Sequence, residues 1–252
     1  MNSILRALLV FVVLTAAGFA ADDFAATKKK AEAGDAAAQN SLGLRYANGD
    51  GMPQDIAEAV KWNRKAAEQG NAEAQFHLGF RYELGEGVPK DSAEAVKWYR
   101  LAAAQSVRSA QFFLGAMYAK GDGVPKDYAE AVKWYRLAAD QGVANAQFYL
   151  GLMYDSGTGV TKNSAEAVKW YRLAADQGFA KAESALGEMY YNGDGVTKDL
   201  VQAHVWWNIS GAAGNEEAKK ALAFVEEQMT DQQKEKAMKL ARELFAKLPK
   251  KK

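Results

Sequence analysis

The strongest constraint on this chain is its internal period. The pair Leu42-Gly43 recurs as Leu78-Gly79, Leu114-Gly115, Leu150-Gly151 and Leu186-Gly187, always at a 36-residue step. Tyrosine follows each pair, at Tyr46, Tyr82, Tyr118, Tyr154 and Tyr190. A Gly-x-Gly element comes next, at Gly49/Gly51, Gly85/Gly87, Gly121/Gly123, Gly157/Gly159 and Gly193/Gly195. Trp62, Trp98, Trp134, Trp170 and Trp206 complete the register, with no insertion over five copies. Fixed self-similarity at this length marks stacked supersecondary units, each too small to bury its own apolar face.

Each copy reads as two antiparallel helices. Ala74, Leu78 and Tyr82 lie four apart and share one face of the first. Gly79 falls inside that helix, where glycine costs roughly 1 kcal/mol relative to alanine, so a neighbouring helix is expected to pass too close for a side chain. Gly85 takes the left-handed capping position, and Gly87 and Pro89 carry the loop. Asp91 with Glu94 and their equivalents predict a capping box at the start of the second helix. Ala95, Trp98 and Ala102 then predict its buried stripe, and Gly70, Gly142, Gly178 and Gly214 its end, with Ser106 replacing glycine in the second copy. The prediction is an all-α protein, an α/α solenoid of helix-turn-helix repeats over 36–71, 72–107, 108–143, 144–179 and 180–215. Residues 21–35 form an N-terminal half-repeat, Phe24 to Gly34 aligning with a second helix. Residues 216–252 form two C-terminal capping helices, the last opened by Thr230 and Gln233, and a basic tail.

The first twenty residues stand apart. Arg6, the apolar run Leu8 to Ala17 and the small residues Gly18 and Ala20 predict a secretory signal, with cleavage after Ala20. Its rival, an uncleaved anchor, is disfavoured by the shortness of the run. Without it the chain carries 31 acidic groups balanced by as many basic ones, Arg6 having gone with the signal. That balance offers no field for nucleic acid or anionic lipid, and no stable membrane insertion is expected. There are 0 cysteines, so export brings no disulfide framework. The periplasm is the expected destination, with secretion as the alternative.

Ala72 to Ala103 contains Ala-x-Ala-Gln-Phe-x-Leu-Gly-x-x-Tyr, Gly-x-Gly-Val-Pro-Lys-Asp and Ala-Glu-Ala-Val-Lys-Trp-Tyr-Arg-x-Ala-Ala. These runs resemble the Sel-one-like repeat (SLR) family, within the tetratricopeptide-like superfamily, from about Phe24 to the C-terminus. The resemblance implies a right-handed superhelix and an adaptor that assembles other proteins, in bacteria often at the envelope or a host interface. It names no partner.

Candidate sites are weighed against packing. The Trp-Tyr-Arg runs could mimic aromatic-basic nucleic-acid contacts, but one tryptophan per repeat reads as core, with Lys97 and Arg100 pairing with Glu94. The Gly-Asp-Gly loops fail as calcium sites, because Met52 occupies the fifth ligand position counted from Asn48. His77 and His204 are the only histidines and lie far apart, which leaves no zinc cluster. No serine sits in a Gly-x-Ser-x-Gly elbow. The chain is therefore expected to be no enzyme and to need no cofactor.

What remains is the first-helix face, which lines the concave side in tetratricopeptide-like stacks. By phase it carries Asn40, Leu44 and Asn48; Phe76, Phe80 and Leu84; Phe112, Ala116 and Lys120; Phe148, Leu152 and Ser156; Ser184, Glu188 and Asn192. The middle copies are apolar and the outer two polar, the pattern of a peptide-docking groove. Phe76, Phe80, Leu84, Phe112, Phe148 and Leu152 are the candidate contacts, with His77, Phe113 and Tyr149 as further ones because they vary between copies. Phe76, Phe112 and Phe148 could equally serve inter-helix packing. The expected function is a protein or peptide scaffold of the bacterial envelope. The alternatives are peptidoglycan binding through aromatic stacking on sugars, a secreted host-interaction factor and, last, an envelope hydrolase.

Overall fold

The computed structural model describes residues 23–248. The signal sequence assigned to residues 1–20 and the end of the basic tail lie outside them. Thirteen helices and no strand occur among the described residues. Helix α1 covers 23–32. Five hairpins follow: α2 (Ala36–Asn48) with α3 (Ile56–Glu68), α4 (Ala72–Leu84) with α5 (Ser92–Ala104), α6 (Arg108–Lys120) with α7 (Tyr128–Asp140), α8 (Ala144–Ser156) with α9 (Ser164–Ala175), and α10 (Ala180–Asn192) with α11 (Leu200–Ala212). Helices α12 (Glu216–Glu226) and α13 (Asp231–Phe245) end the chain. The architecture is an α/α solenoid. It divides into two compact units, one of residues up to 110 with 122–125, the other of 111–121 with the remainder.

In the first unit Leu42 and Leu78 are fully buried, together with Ala66, Ala74, Ala95 and Ala102. Gly79 marks the close approach that its sequence position predicts. A Cβ there would lie 2.9 Å from the Tyr99 ring and 3.2 Å from the Ala95 carbonyl oxygen, so the two helices meet at that point. The ring that seals the hairpin is tyrosine. Tyr99 is fully buried, whereas Trp98 is only half-buried, which corrects the tryptophan-centred stripe. Positions 95, 99 and 102 define the inward stripe at helical spacing, and residue 98 stands one step to its side.

The second unit repeats the device. Leu114, Leu150 and Leu186 are fully buried, and Tyr135 and Tyr171 press on Gly115 and Gly151. In the last hairpin Trp207 takes the tyrosine's place against Gly187 and donates its indole N–H to the Ser184 carbonyl at 3.2 Å. There Trp206 also becomes fully buried. The α13 start is a complete capping box, with Thr230 and Gln233 bonded reciprocally.

Loops join copies as well as helices. Gly85, Gly157 and Gly193 adopt left-handed caps, as their spacing predicts. The second glycine of a pair serves the neighbouring copy instead. A Cβ on Gly159 would lie 2.3 Å from the Tyr128 carbonyl oxygen, so the loop rests directly on the previous second helix. The second-helix caps are half of what the spacing predicts. Asp55, Asp91 and Asn163 accept the backbone N–H three residues on. The glutamates turn instead to lysine, Glu58 to Lys61 and Glu166 to Lys169, at 2.5 and 2.8 Å. A lysine one turn away offers a charged partner that the N-cap backbone cannot match. Ser106 is the single non-glycine residue with positive φ among the described residues, at 64°.

Candidate functional site

Two polar ladders, unanticipated from spacing, hold the first helices in place. Buried Gln39, Gln75 and Gln147 donate to the carbonyls of Ala31, Ala67 and Ala139, at 3.0–3.1 Å. Each accepts in turn from a glutamine in the turn after a second helix, Gln69, Gln105 and Gln177 respectively. The arginine at the end of the aromatic run turns to tyrosine rather than glutamate: Arg64 donates to Tyr82 at 2.5 Å and Arg172 to Tyr190 at 2.8 Å. Both ladders show in the sequence as letters repeated through the first four copies. A glutamine in an apolar stripe nevertheless gives no hint of which carbonyl it meets.

In the first unit, Phe76 contacts His77, Phe80 and Tyr99, with ring centres at 5.4, 6.3 and 5.8 Å. Phe76, His77 and Phe80 are half-buried, and Leu84 is 49% exposed. Burial holds the His77 imidazole below its ordinary range, with Arg81 adding to the effect and Glu73 opposing it. The Tyr99 hydroxyl donates to Glu83 at 2.6 Å.

In the second unit, Phe112 meets Phe113, Tyr135 and Tyr149. Phe148 meets Tyr149, Tyr171 and Phe179. Phe76, Phe112 and Phe148 each lie 5.8 Å from the tyrosine of their own hairpin, at 32–37°. That constancy gives all three a packing role. The accessible members of the predicted set are Leu84, Tyr149 at 36% and Leu152 at 44% exposure. Tyr149 stacks on Tyr135, nearly parallel at 13°.

A depression of about 290 Å³ opens on this unit's first-helix face. Phe148, Leu152, Tyr171 and Met189 form its apolar wall, and Asp155, Lys181, Ser184, Glu188, Asn215 and Glu217 its polar rim and floor. Phe148, Leu152, Ser184 and Glu188 are positions that helical phase places on the face. Asp155, Tyr171 and Lys181 lie off that phase, and sequence reasoning misses them. At the opening, where the second to fourth copies carry Phe76, Phe112 and Phe148, the fifth carries Ser184. Burial, then repulsion from Asp155, raises the Glu188 carboxyl above its usual range. Burial, then Asp155 and Glu188, pushes the Tyr171 phenol well up, so it stays protonated.

Among the described residues no cluster of His, Cys, Asp and Glu could hold a metal ion. No helix there is long and apolar enough to cross a membrane.

The profile of the Sel1 repeat matches residues 36–71, 72–107, 108–143, 144–179 and 180–215. A Sel1 repeat protein from Oxalobacter formigenes is 34% identical, over 93% of this chain and 98% of its own, with a TM-score of 0.78. A protective antigen of uropathogenic Escherichia coli with an SLR fold is 36% identical over 88% of this chain, with a TM-score of 0.65. The chain spans 56% of that antigen's length. None of the curated proteins matches the sequence. Sel1 repeat proteins typically mediate protein–protein interaction. With all five copies matched by the profile, the chain belongs to the Sel1 repeat family.

Proposed function

We propose that this protein is a non-enzymatic interaction scaffold of the bacterial envelope, holding a segment of another protein on its first-helix face. The observation that carries the reading is the exposure of Leu84 in the first unit, and of Tyr149 and Leu152 in the second, beside aromatic rings that packing already fixes. Leu84 stands where other copies place Asn48 or Lys120, so the stack does not require an apolar side chain there. The neighbouring rings are held by their own hairpins, so a partner that docks loses its own entropy while the scaffold loses little. Export is part of this proposal and rests on the leader-like composition of residues 1–20.

The test is a pull-down from envelope extract with the native chain beside a Leu84→Ser/Tyr149→Ser/Leu152→Ser variant. These positions are exposed enough that the variant should keep its helical circular dichroism. A protein captured by the native chain and lost by the folded variant supports the face as the working surface. Equal capture by both would move binding to the second helices or the ends of the stack.

A further inference from the structure

Repeats supply their own control, because packing demands the same residue at the same place in every copy. The depression is where the fifth copy departs from that demand. Ser184 replaces phenylalanine, and Glu188 stands where the third copy has Ala116 and the fourth Leu152. Polar groups without partners line the opening. Tyr171 is 2% exposed and Ser184 9% exposed, both line the depression, and neither hydroxyl makes a hydrogen bond among the described residues. The equivalent hydroxyl is bonded in the second copy, Tyr99 donating to Glu83, and unbonded in the third, at Tyr135. Asp155, at Glu83's place in the fourth copy, is one methylene shorter and receives no such bond.

Charge points the same way. Asp155, Glu188 and Glu217 face the opening with Lys181 as their single basic companion, and Lys181 forms no ion pair with any of them among the described residues. Both hydroxyls reach solvent at the opening, so each is free to accept from or donate to a ligand without breaking a bond within the fold. The volume suits one long side chain rather than a cofactor. Phe148, Leu152 and Met189 offer apolar surface to a methylene stem, while the carboxylates and hydroxyls meet its head.

We propose that this depression seats a basic side chain, lysine or arginine, of the bound protein segment. The proposal rests on the first-helix face being the docking surface. The cation lies between Asp155 and Glu188, the Tyr171 and Ser184 hydroxyls accept from its N–H groups, and flanking apolar residues of the segment cover Leu152 and Tyr149.

The test is selection of a random peptide library on the full chain and on an Asp155→Asn/Glu188→Gln variant, which preserves side-chain shape. Peptides selected by the native chain should share one lysine or arginine flanked by apolar residues. Changing that residue to methionine should weaken binding by about ten-fold to the native chain and leave the variant unaffected. Pools with equal basic content from both proteins would overturn the cation site while the docking face stands. No peptide above background on the native chain would overturn both.

Discussion

The first helices of the second and fifth copies use the same backbone to opposite ends. Around Phe76 the face is closed: the ring lies on Tyr99, and the Tyr99 hydroxyl is bonded to Glu83. Around Ser184 it is open: the ring is gone, and the Tyr171 hydroxyl and the Asp155 carboxylate, contributed by the fourth copy, have no bond to each other or to another described residue. The helix pairing keeps one contact throughout, a glycine against a ring, with Gly79 and Gly151 meeting tyrosines and Gly187 of the fifth copy meeting Trp207. A repeat protein can therefore vary its face freely once the contact between glycine and ring is kept. The working residues are those that depart from the copy average.

The largest effect should come from breaking what the two regions share. Gly159→Ala forces a Cβ to within 2.3 Å of the Tyr128 carbonyl at a φ of 69°, and should cost about 3 kcal/mol by combined overpacking and strain. Gly178→Ala has the same hand of φ but open space around it, and should cost about 1 kcal/mol. Denaturant unfolding of the pair separates contact from conformation. Near-equal losses would show that the loops do not rest on the preceding helices.

The hydroxyls sharpen the contrast itself. Tyr99→Phe removes a bond to Glu83 and should lower stability by about 1 kcal/mol. Tyr171→Phe removes no bond to a described residue and should be close to neutral. Equal costs, read from the same denaturant curves, would mean that Tyr171 has a partner within the fold and that the depression has no unmet donor or acceptor.

Ser106→Gly should raise stability by about 0.5–1 kcal/mol, because a serine at φ 64° carries the left-handed penalty that glycine avoids. The smallest effect concerns pH. The Glu188 carboxyl is raised in the fold, so the folded chain holds its proton more tightly than the unfolded chain. Stability is therefore lost as pH rises from the ordinary carboxylate range through that raised value. Glu188→Gln should recover only about 0.3 kcal/mol at neutral pH, because the partly buried side chain still reaches solvent, which screens the effect. Thermal melts of both proteins at acidic and neutral pH would show the gap closing on acidification.

Much of the fold is legible in the letters alone. The Leu-Gly pairs mark the close approach, the second-helix Asp and Asn residues mark caps, and Ser106 stands out against four glycines. The misreadings share a physical cause. Spacing identifies a face but not which of two adjacent aromatics turns inward, so it points to Trp98 where Tyr99 is the buried ring. It identifies a charge but not which of two suitors wins, so Glu94 reads both as half of a capping box and as a partner of Lys97, and only the second contact forms. The depression is half legible, through Phe148, Leu152, Ser184 and Glu188, because those share one helical phase. Tyr171 and Asp155 reach it from a different helix and a different phase, which only the packed hairpin brings together.

The most direct measurement is backbone amide NMR of the labelled chain titrated with a peptide that it selects. Shifts concentrated on Phe148, Leu152, Ser184 and Glu188 are the expected result. Shifts confined to the second helices, around the exposed Leu137 and Leu173, with the first helices unmoved, would contradict a first-helix docking face.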